Sequence, residues 1–150
     1  MAADYLANGL QSIPLNTPIS FTTSIPCNRG NVFHENGTGI FILRGNTNQC
    51  YATYKVTYNG NIAVTEGGTV TPIATAIVVN GEPRLSSRAI STPATAEEFN
   101  NVTSTAIIKV PKGCCFIVAI EYISGITDGT TVPTPVIDQI NGNLEINRIA

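Results

Sequence analysis

Any Ser-His-Asp or Cys-His catalytic arrangement in this chain would have to use His34, because the sequence contains no other histidine. His34 lies in the sequence VFHENG, beside a turn signal and without a nucleophile close to it along the chain. We therefore interpret His34 as a surface or strand-edge residue and not as a general base. The sequence predicts that the protein is not an enzyme.

The acidic residues do not suggest general acid–base chemistry, which needs two carboxyl groups held across a cleft. Glu97 and Glu98 are adjacent in a predicted loop with no motif around them. Calcium ligands could come from Asp128 with Asp138, or from Glu97 and Glu98, but the EF-hand spacing is absent. We interpret these acids as solvated loop residues. No metal and no cofactor are predicted.

The four cysteines are Cys27, Cys50, Cys114 and Cys115. Their spacing is neither that of a Cys-x-x-Cys metal site nor that of a secreted disulfide framework. We interpret them as small buried hydrophobic residues. A disulfide such as Cys27–Cys50 is the alternative, and a Cys114 or Cys115 side chain lining a subunit axis is a further one.

Composition narrows the possible partners. Charged residues make up only 12% of the 150 residues, hydrophobic residues make up 43%, and the net charge is −2. No basic cluster extends beyond Arg84 to Arg88, so nucleic acid is not expected as a partner. The apolar run Cys114–Ile120 is far shorter than the ~20 residues that a membrane helix needs, so no membrane partner is expected. The first residues also lack the features of a signal peptide.

The elements that must position any binding surface are β-strands. Ala106–Val110 and Cys114–Tyr122 are extended apolar runs joined by Pro111-Lys112-Gly113, which predicts a tight turn and a β-hairpin. The second run is apolar on both faces up to Glu121, so both of its faces should be covered. We expect a neighbouring subunit to provide part of that cover.

The remaining chain alternates short strands with turn signals. Cys50–Tyr58 is the longest predicted strand, with Ala52, Tyr54, Val56 and Tyr58 facing the core and Asn59-Gly60 as its end. Turns are also predicted at Asn80-Gly81 and Asn141-Gly142. Further core positions are predicted at Leu85, Ile90, Leu144 and Ile146. This spacing is typical of an all-β sandwich or barrel.

The N-terminal segment, residues 1–17, is predicted to be an extended arm outside the main domain. Pro14 and Pro18 disfavour both a helix and a central strand there. We expect the arm to anchor the protein to another surface through Tyr5, Leu6, Leu10 and Ile13. The predicted organisation is therefore an arm at 1–17 and a folded domain at 18–150.

The order of the strands resembles the tumour-necrosis-factor-like jelly roll. The branch in question includes the globular heads of complement's first component and the C-terminal domains of collagen-tailed spore-surface glycoproteins. The resemblance is carried by an early strand with Phe21, by Tyr51–Tyr58, by AIVVNG at 76–81, by 104–110 before Pro-x-Gly, and by the closing LEINRI. It implies an antiparallel jelly-roll β-sandwich that forms homotrimers about a three-fold axis. Carried onto this chain, it implies core or trimer contacts for these residues: Tyr51, Tyr54, Phe116, Val118 and Tyr122.

The chain lacks the Gly-X-Y stalk of that branch and begins with an arm. We therefore predict a homotrimeric structural protein that decorates a large particle, first of all a phage virion, as a capsid-decorating or head-fibre protein. Two alternatives stay open. One is a spore-surface structural protein, and the other is a head module that binds a host-surface glycan or receptor through loops such as Gly45–Gln49 and Gly125–Pro135.

Overall fold

β-strands are the regular elements of this chain, together with one 3₁₀ turn at Leu85–Ser87, within the residues that the structure describes. The structure is a computed structural model, and it describes residues 2–25, 30–125 and 134–150. In chain order the strands are β1 (Ala2–Ala7), β2 (Gln11–Ile13), β3 (Thr23–Ile25), β4 (Val32–His34), β5 (Phe41–Arg44), β6 (Tyr51–Val64), β7 (Ile73–Val79), β8 (Glu82–Pro83), β9 (Ala89–Ser91), β10 (Asn100–Pro111), β11 (Cys115–Ser124) and β12 (Ile137–Arg148). The predicted all-β class is confirmed.

The strands form two antiparallel sheets that pack face to face. Sheet A has the order β10-β6-β12-β1-β3, with β2 also paired to β12. Sheet B has the order β4-β5-β11-β7-β8, with β9 also paired to β7. The longer strands from β5 onwards alternate between the sheets, so the chain repeatedly crosses from one layer to the other. This is the predicted jelly-roll sandwich.

The core between the sheets is built around aromatic rings. The ring centroids of Tyr5 and Phe41 lie 4.7 Å apart, and those of Phe21 and Phe41 lie 5.5 Å apart, in edge-to-face geometry. Tyr54 and Tyr58 are fully buried beside them. Such aromatic pairs stabilise a core beyond the area that they bury, by about 0.5–1.5 kcal/mol each.

Strand β6 confirms the predicted alternation, because Ala52, Tyr54, Val56 and Tyr58 are all fully buried. The predicted end at Asn59-Gly60 is wrong, since β6 continues to Val64 and residues 59 and 60 pair with 103 and 102 of β10. Gly60 serves a different purpose there: a Cβ atom at this position would collide with the Tyr58 hydroxyl. The glycine thus makes room for a buried ring and does not make a turn.

The turn signals have mixed outcomes. Asn80 and Gly81 have φ values of 52° and 83° and join β7 to β8 in a tight hairpin, as predicted. Asn141 has φ 53°, but residues 141 and 142 lie inside β12, where the register with β6 shifts. The second site is a β-bulge within a strand, so the predicted turn is wrong.

The predicted hairpin at residues 106–122 is also wrong. Cys114 N–H donates to the Pro111 carbonyl at 2.9 Å, and Gly113 has φ 75°, so the tight turn exists. However, β10 pairs with β6 in sheet A, whereas β11 lies between β5 and β7 in sheet B. The two runs therefore lie in facing sheets. Apolar alternation is the same for strands that pair side by side and for strands that face each other across a core.

Residues 2–13, predicted as most of an arm, are built into sheet A. Strand β1 pairs with β12 along its whole length and with β3 on its other side, and β2 pairs with β12. Tyr5 is 2% exposed and Ile13 is also buried, whereas Leu6 is half-buried and Leu10 lies on the surface. The predicted boundary at residue 17 is wrong because Ala3, Tyr5 and Ala7 alternate inwards as in any half-buried strand.

Cover over β11 differs between its two faces. Val118, Ile120 and Tyr122 face the core and are buried by the same chain. On the outer face Ile117 is 47% exposed, and Ala119 is buried. The chain itself therefore covers the whole inner face of β11 at these positions, but only part of the outer face.

Two predicted core positions are on the surface. Leu85 is 64% exposed and Ile90 is 47% exposed. Leu85 lies in the 3₁₀ turn and Ile90 lies on the outer side of the short strand β9, so neither side chain points between the sheets. Leu144 and Ile146 of β12 are fully buried, as predicted.

Candidate interaction surfaces

His34 has a packing role in this fold. Its ring stacks on Phe41 with centroids 4.2 Å apart and an angle of 8° between the planes, and the Tyr5 ring lies edge-on at 5.0 Å. Its Nε2 atom lies 2.9 Å from the Thr38 carbonyl oxygen. The imidazole closes the edge of the core at β4, and these contacts are with rings and backbone, not with a nucleophile.

The acidic residues are used within loops and at strand edges. Glu98 accepts hydrogen bonds from the backbone N–H groups of Ala94 and Thr95, at 2.6 and 3.4 Å. Asp138 accepts a hydrogen bond from the Ser12 hydroxyl at 2.9 Å. Asp128, the other predicted calcium ligand, lies outside the described residues. Among the described residues no three or more His, Cys, Asp or Glu side chains come together as a metal site.

Across residues 2–25, 30–125 and 134–150, no helix reaches the length and apolar character needed to cross a bilayer.

The prediction that the cysteines are buried is wrong for the three that the structure describes. Cys50, Cys114 and Cys115 are all exposed free cysteines. They lie where β6 begins, in the turn after β10 and at the start of β11, which are strand ends outside the core. Cys27, the suggested disulfide partner of Cys50, lies outside the described residues.

The five side chains predicted as core or trimer contacts divide into two groups. Tyr54, Val118 and Tyr122 are buried between the sheets of the chain itself, which is the core alternative of that prediction. They are core residues because they occupy the inward positions of β6 and β11. Phe116 is half-buried against the core, and Tyr51 is 49% exposed.

Tyr51 belongs to an exposed apolar surface on the outer face of sheet A. Its Cα atom pairs with Pro111, while Ile107 pairs with Lys55 four residues further along the same strands and on the same face. Ile149 follows β12, and its N–H donates to the Thr53 carbonyl at 2.9 Å. Tyr51, Ile107 and Ile149 are 49%, 44% and 54% exposed, and we call these three residues the Tyr51 surface.

A shallow depression of about 390 Å³ lies beside the Tyr51 surface, lined by Gln49, Cys50, Tyr51, Thr53 and Lys109. Ile107 and Ile149 were not identified from the sequence as surface residues. A signal for Ile107 exists: the adjacent pair Ile107-Ile108 breaks the alternation of β10, so one of the two must face outwards.

Beyond the Tyr51 surface the outer face of sheet A is polar and little charged. The hydroxyl oxygens of Thr57 and Thr105 lie 2.8 Å apart, and the Asn101 amide donates to Asn59 at 2.8 Å. Cross-strand pairs of this kind stabilise a sheet by about 0.2–1 kcal/mol each. The face thus combines one apolar end with a hydroxyl and amide lattice.

Arg148, at the end of β12, makes several contacts next to the Tyr51 surface. The Arg148 guanidinium donates to the carbonyl oxygens of Ala150 and Asn46, at 2.7 and 2.8 Å, and lies 5.6 Å from the centre of the Tyr54 ring. The Tyr54 hydroxyl donates to the Arg44 carbonyl at 2.6 Å. Burial raises the pKa of Tyr54, and the positive charge of Arg148 partly opposes that rise.

Buried tyrosines make the fold sensitive to alkali. Burial raises the pKa of Tyr122 to about 12 and raises the pKa of Tyr58 as well, because the interior disfavours the phenolate. In an unfolded chain a tyrosine loses its proton near pH 10. The contribution of these tyrosines to the free energy of unfolding should therefore be constant below about pH 10. It should fall as the pH rises through that value towards about 12.

Urea unfolding at about pH 9 and about pH 11 tests this expectation. Tyr122→Phe removes one of the ionising groups and should show a smaller loss of unfolding free energy between the two pH values than the wild type. An equal loss in both proteins would show that Tyr122 does not contribute to the alkaline sensitivity.

The strand order and the two outer faces define the class of fold: an antiparallel jelly roll of the tumour-necrosis-factor and complement-head type. Among solved structures, the chain is similar to the globular domain of zebrafish complement 1qA protein, with a TM-score of 0.65, 15% identity, and 99% of this chain and 97% of that chain covered. It is also similar to Eiger TNF from S. frugiperda, with a TM-score of 0.67, 12% identity, and 100% and 92% covered.

A third similar structure is murine APRIL at pH 5.0, with a TM-score of 0.56, 11% identity, and 95% of this chain and 97% of that chain covered. No family model matches the chain, and no curated protein matches it. Identities this low establish the fold alone. The resemblance predicted from strand order is confirmed at that level.

Proposed function

We propose that this chain is a non-enzymatic structural module that assembles as a homotrimer and decorates the surface of a large particle. The observation that carries the proposal is the Tyr51 surface, where three apolar side chains each remain 44–54% exposed at one end of sheet A. Exposed apolar side chains on one face of a sheet commonly mark a protein contact. The resemblance to trimeric jelly rolls favours other copies of the chain as the partners.

The rest of the face suits such a contact. Thr57, Thr105, Asn59 and Asn101 are uncharged and already hydrogen-bonded to one another, so little charge would have to be desolvated beside the apolar end. Lys109 and Lys55 could lay their aliphatic stems against apolar neighbours while their ammonium groups stay in water. An interface with an apolar centre and a polar rim is the usual arrangement.

The particle that we propose is first a phage virion and second a spore surface. The supporting observation is the charge-poor exterior, in which hydroxyl and amide groups replace most of the charged residues of an ordinary soluble protein. Mass spectrometry of purified particles, with and without an added tagged copy of the chain, tests this part of the proposal. Failure of the tagged chain to attach to any particle from its source would contradict it.

The trimer is tested by measuring molar mass in solution. The wild-type chain should give species in multiples of three times the 15.8 kDa chain mass. Ile107→Lys removes an apolar side chain from the Tyr51 surface and adds a third ammonium group beside Lys55 and Lys109. The three like charges would repel one another in the contact, so the mass should no longer be a multiple of three chain masses. The matched control is Leu10→Lys. Leu10 is 62% exposed and follows the C-terminal end of β1, which is the end of sheet A away from the Tyr51 surface.

Circular dichroism of both variants shows whether they fold. A wild-type molar mass that is never a multiple of three chain masses would contradict the trimer. A folded Ile107→Lys variant with the wild-type mass would contradict it as well.

A further inference from the structure

A second apolar surface lies on the outer face of sheet B, on the opposite side of the sandwich from the Tyr51 surface. Phe33 of β4 pairs with Ile42 of β5, and Ile42 pairs with Ile117 of β11, so the three side chains form a row across three strands. Ile40 lies two residues before Ile42 on the same face. We call these four residues the Phe33 surface.

The Phe33 surface is open in the single chain. Phe33, Ile40 and Ile117 are 52%, 41% and 47% exposed, and Ile42 is half-buried. A depression of about 170 Å³ lies within it, lined by Phe33, Glu35, Thr38, Ile40 and Ile42. Packed sheets lie about 10 Å apart, so an assembly through the outer face of sheet A leaves this face uncovered.

Opposite charges lie on the two sides of the row, in the direction of the strands. Arg44 lies two residues after Ile42 on β5 and pairs with Cys115, and its side chain is exposed. Glu35 follows β4 and lines the depression at the other end. Within the described part of the chain, neither side chain forms an ion pair. Each is therefore available to a partner.

The spacing of these charges is self-complementary. At about 3.3 Å per residue, Arg44 and the Glu35 end lie roughly equal distances, about 7 Å, on either side of the row. A two-fold axis along the row reverses the strand direction and keeps the order of the strands. It would place Arg44 of one copy opposite the Glu35 end of the other, twice, with the apolar rows in contact between them.

We propose that the Phe33 surface binds a second copy of this chain through such a two-fold contact. The charge arrangement identifies the occupant, because one face supplies both halves of each ion pair. This goes beyond the proposed trimer and does not depend on it. If both contacts form, each trimer presents three Phe33 surfaces that point away from its three-fold axis, and trimers join through them into assemblies larger than two trimers. If only the two-fold contact forms, the particle has two.

Molar mass in solution separates these cases. Ile117→Lys should reduce the wild-type assembly to three subunits if the trimer forms as well, and from two subunits to one if it does not. Leu85→Lys is the matched control, because Leu85 is 64% exposed but follows β8 at the opposite edge of sheet B. Ile107→Lys acts on the other face and should instead leave species of two subunits. Failure of one proposal is therefore distinguishable from failure of the other.

A charge swap gives an independent test. Arg44→Glu places like charges opposite each other and should weaken the two-fold association at least about tenfold. The double variant Arg44→Glu with Glu35→Arg restores opposite charges and should recover most of that loss. Recovery is expected only if Arg44 and Glu35 meet between copies.

Two results would overturn the proposal. One is a wild-type mass without a factor of two at concentrations of about 1 mM, the weak end of specific association. The other is an apolar dye that binds the wild type and not Ile117→Lys, with the same mass for both proteins. The second result would mean that the face accepts a different partner.

Discussion

Truncation of Tyr5 to alanine is expected to lower the free energy of unfolding by about 3–5 kcal/mol, the range typical for loss of a buried aromatic side chain. Tyr5 is 2% exposed, and its ring lies edge-on to Phe41 at 4.7 Å and to His34 at 5.0 Å. Alanine would leave a cavity between β1 and β5 and remove both ring contacts. Urea unfolding monitored by circular dichroism measures the loss.

Leu10→Ala is the matched control from the same segment. Leu10 is 62% exposed, so its truncation should change the free energy of unfolding by no more than about 0.5 kcal/mol. If both variants are as stable as the wild type, the burial of Tyr5 contributes nothing measurable to the stability of the fold, which would contradict the expected loss. A large loss for Tyr5→Ala alone shows that any anchoring role must use a segment that is also part of the fold.

Replacement of Gly45 by alanine is expected to cost about 3 kcal/mol or more, because the new Cβ atom has no space. It would collide with the Pro111 carbonyl oxygen and would lie 3.2 Å from the Cys114 carbonyl oxygen, both of which are backbone atoms. Gly45 also donates its N–H to Cys114 at 2.8 Å and accepts from the Gly113 N–H at 3.0 Å. The Pro111–Cys114 turn would have to move as a unit.

Gly9→Ala provides the control with the same chemistry. No atom lies within 4 Å of a Cβ built at Gly9, and the substitution should be neutral or stabilising by up to about 1 kcal/mol. Gly45→Ala should therefore lower the urea midpoint, whereas Gly9→Ala should leave it unchanged or raise it. Equal midpoints would show that the 45–50 loop can shift freely away from the Pro111 turn.

The parts of the fold that could be predicted are those in which a sequence pattern is compatible with only one local structure. Alternation in Cys50–Tyr58 and around Leu144 and Ile146 identifies half-buried strands, because only period-two spacing places those side chains on one face. Asn80-Gly81 predicts a hairpin turn because both residues accept positive φ. Regular spacing of such strands then limits the fold to a sandwich or barrel.

The site could be predicted only in part. The resemblance predicts core or trimer contacts for Tyr51 in the same way as for Tyr54, Val118 and Tyr122. It does not separate the two cases, because inward and outward apolar residues look alike in a sequence. The exposure of Ile107 and Ile149 depends on which strands pair, because the pairing decides which face of sheet A meets solvent. The exposed thiols of Cys114 and Cys115 likewise depend on where the turn after β10 lies, and composition carries no information about that.

By itself, the sequence determined the all-β class, the inward faces of the long strands and the scarcity of side chains suited to catalysis. The tertiary structure decided which strands pair. It placed the two apolar runs around Lys112 in opposite sheets, inserted the first strand beside the last, and left Phe33, Ile42 and Ile117 in a row on the outside. The reason is that strand pairing uses backbone hydrogen bonds, which every residue except proline can form, whereas burial depends on contacts between residues far apart in the chain.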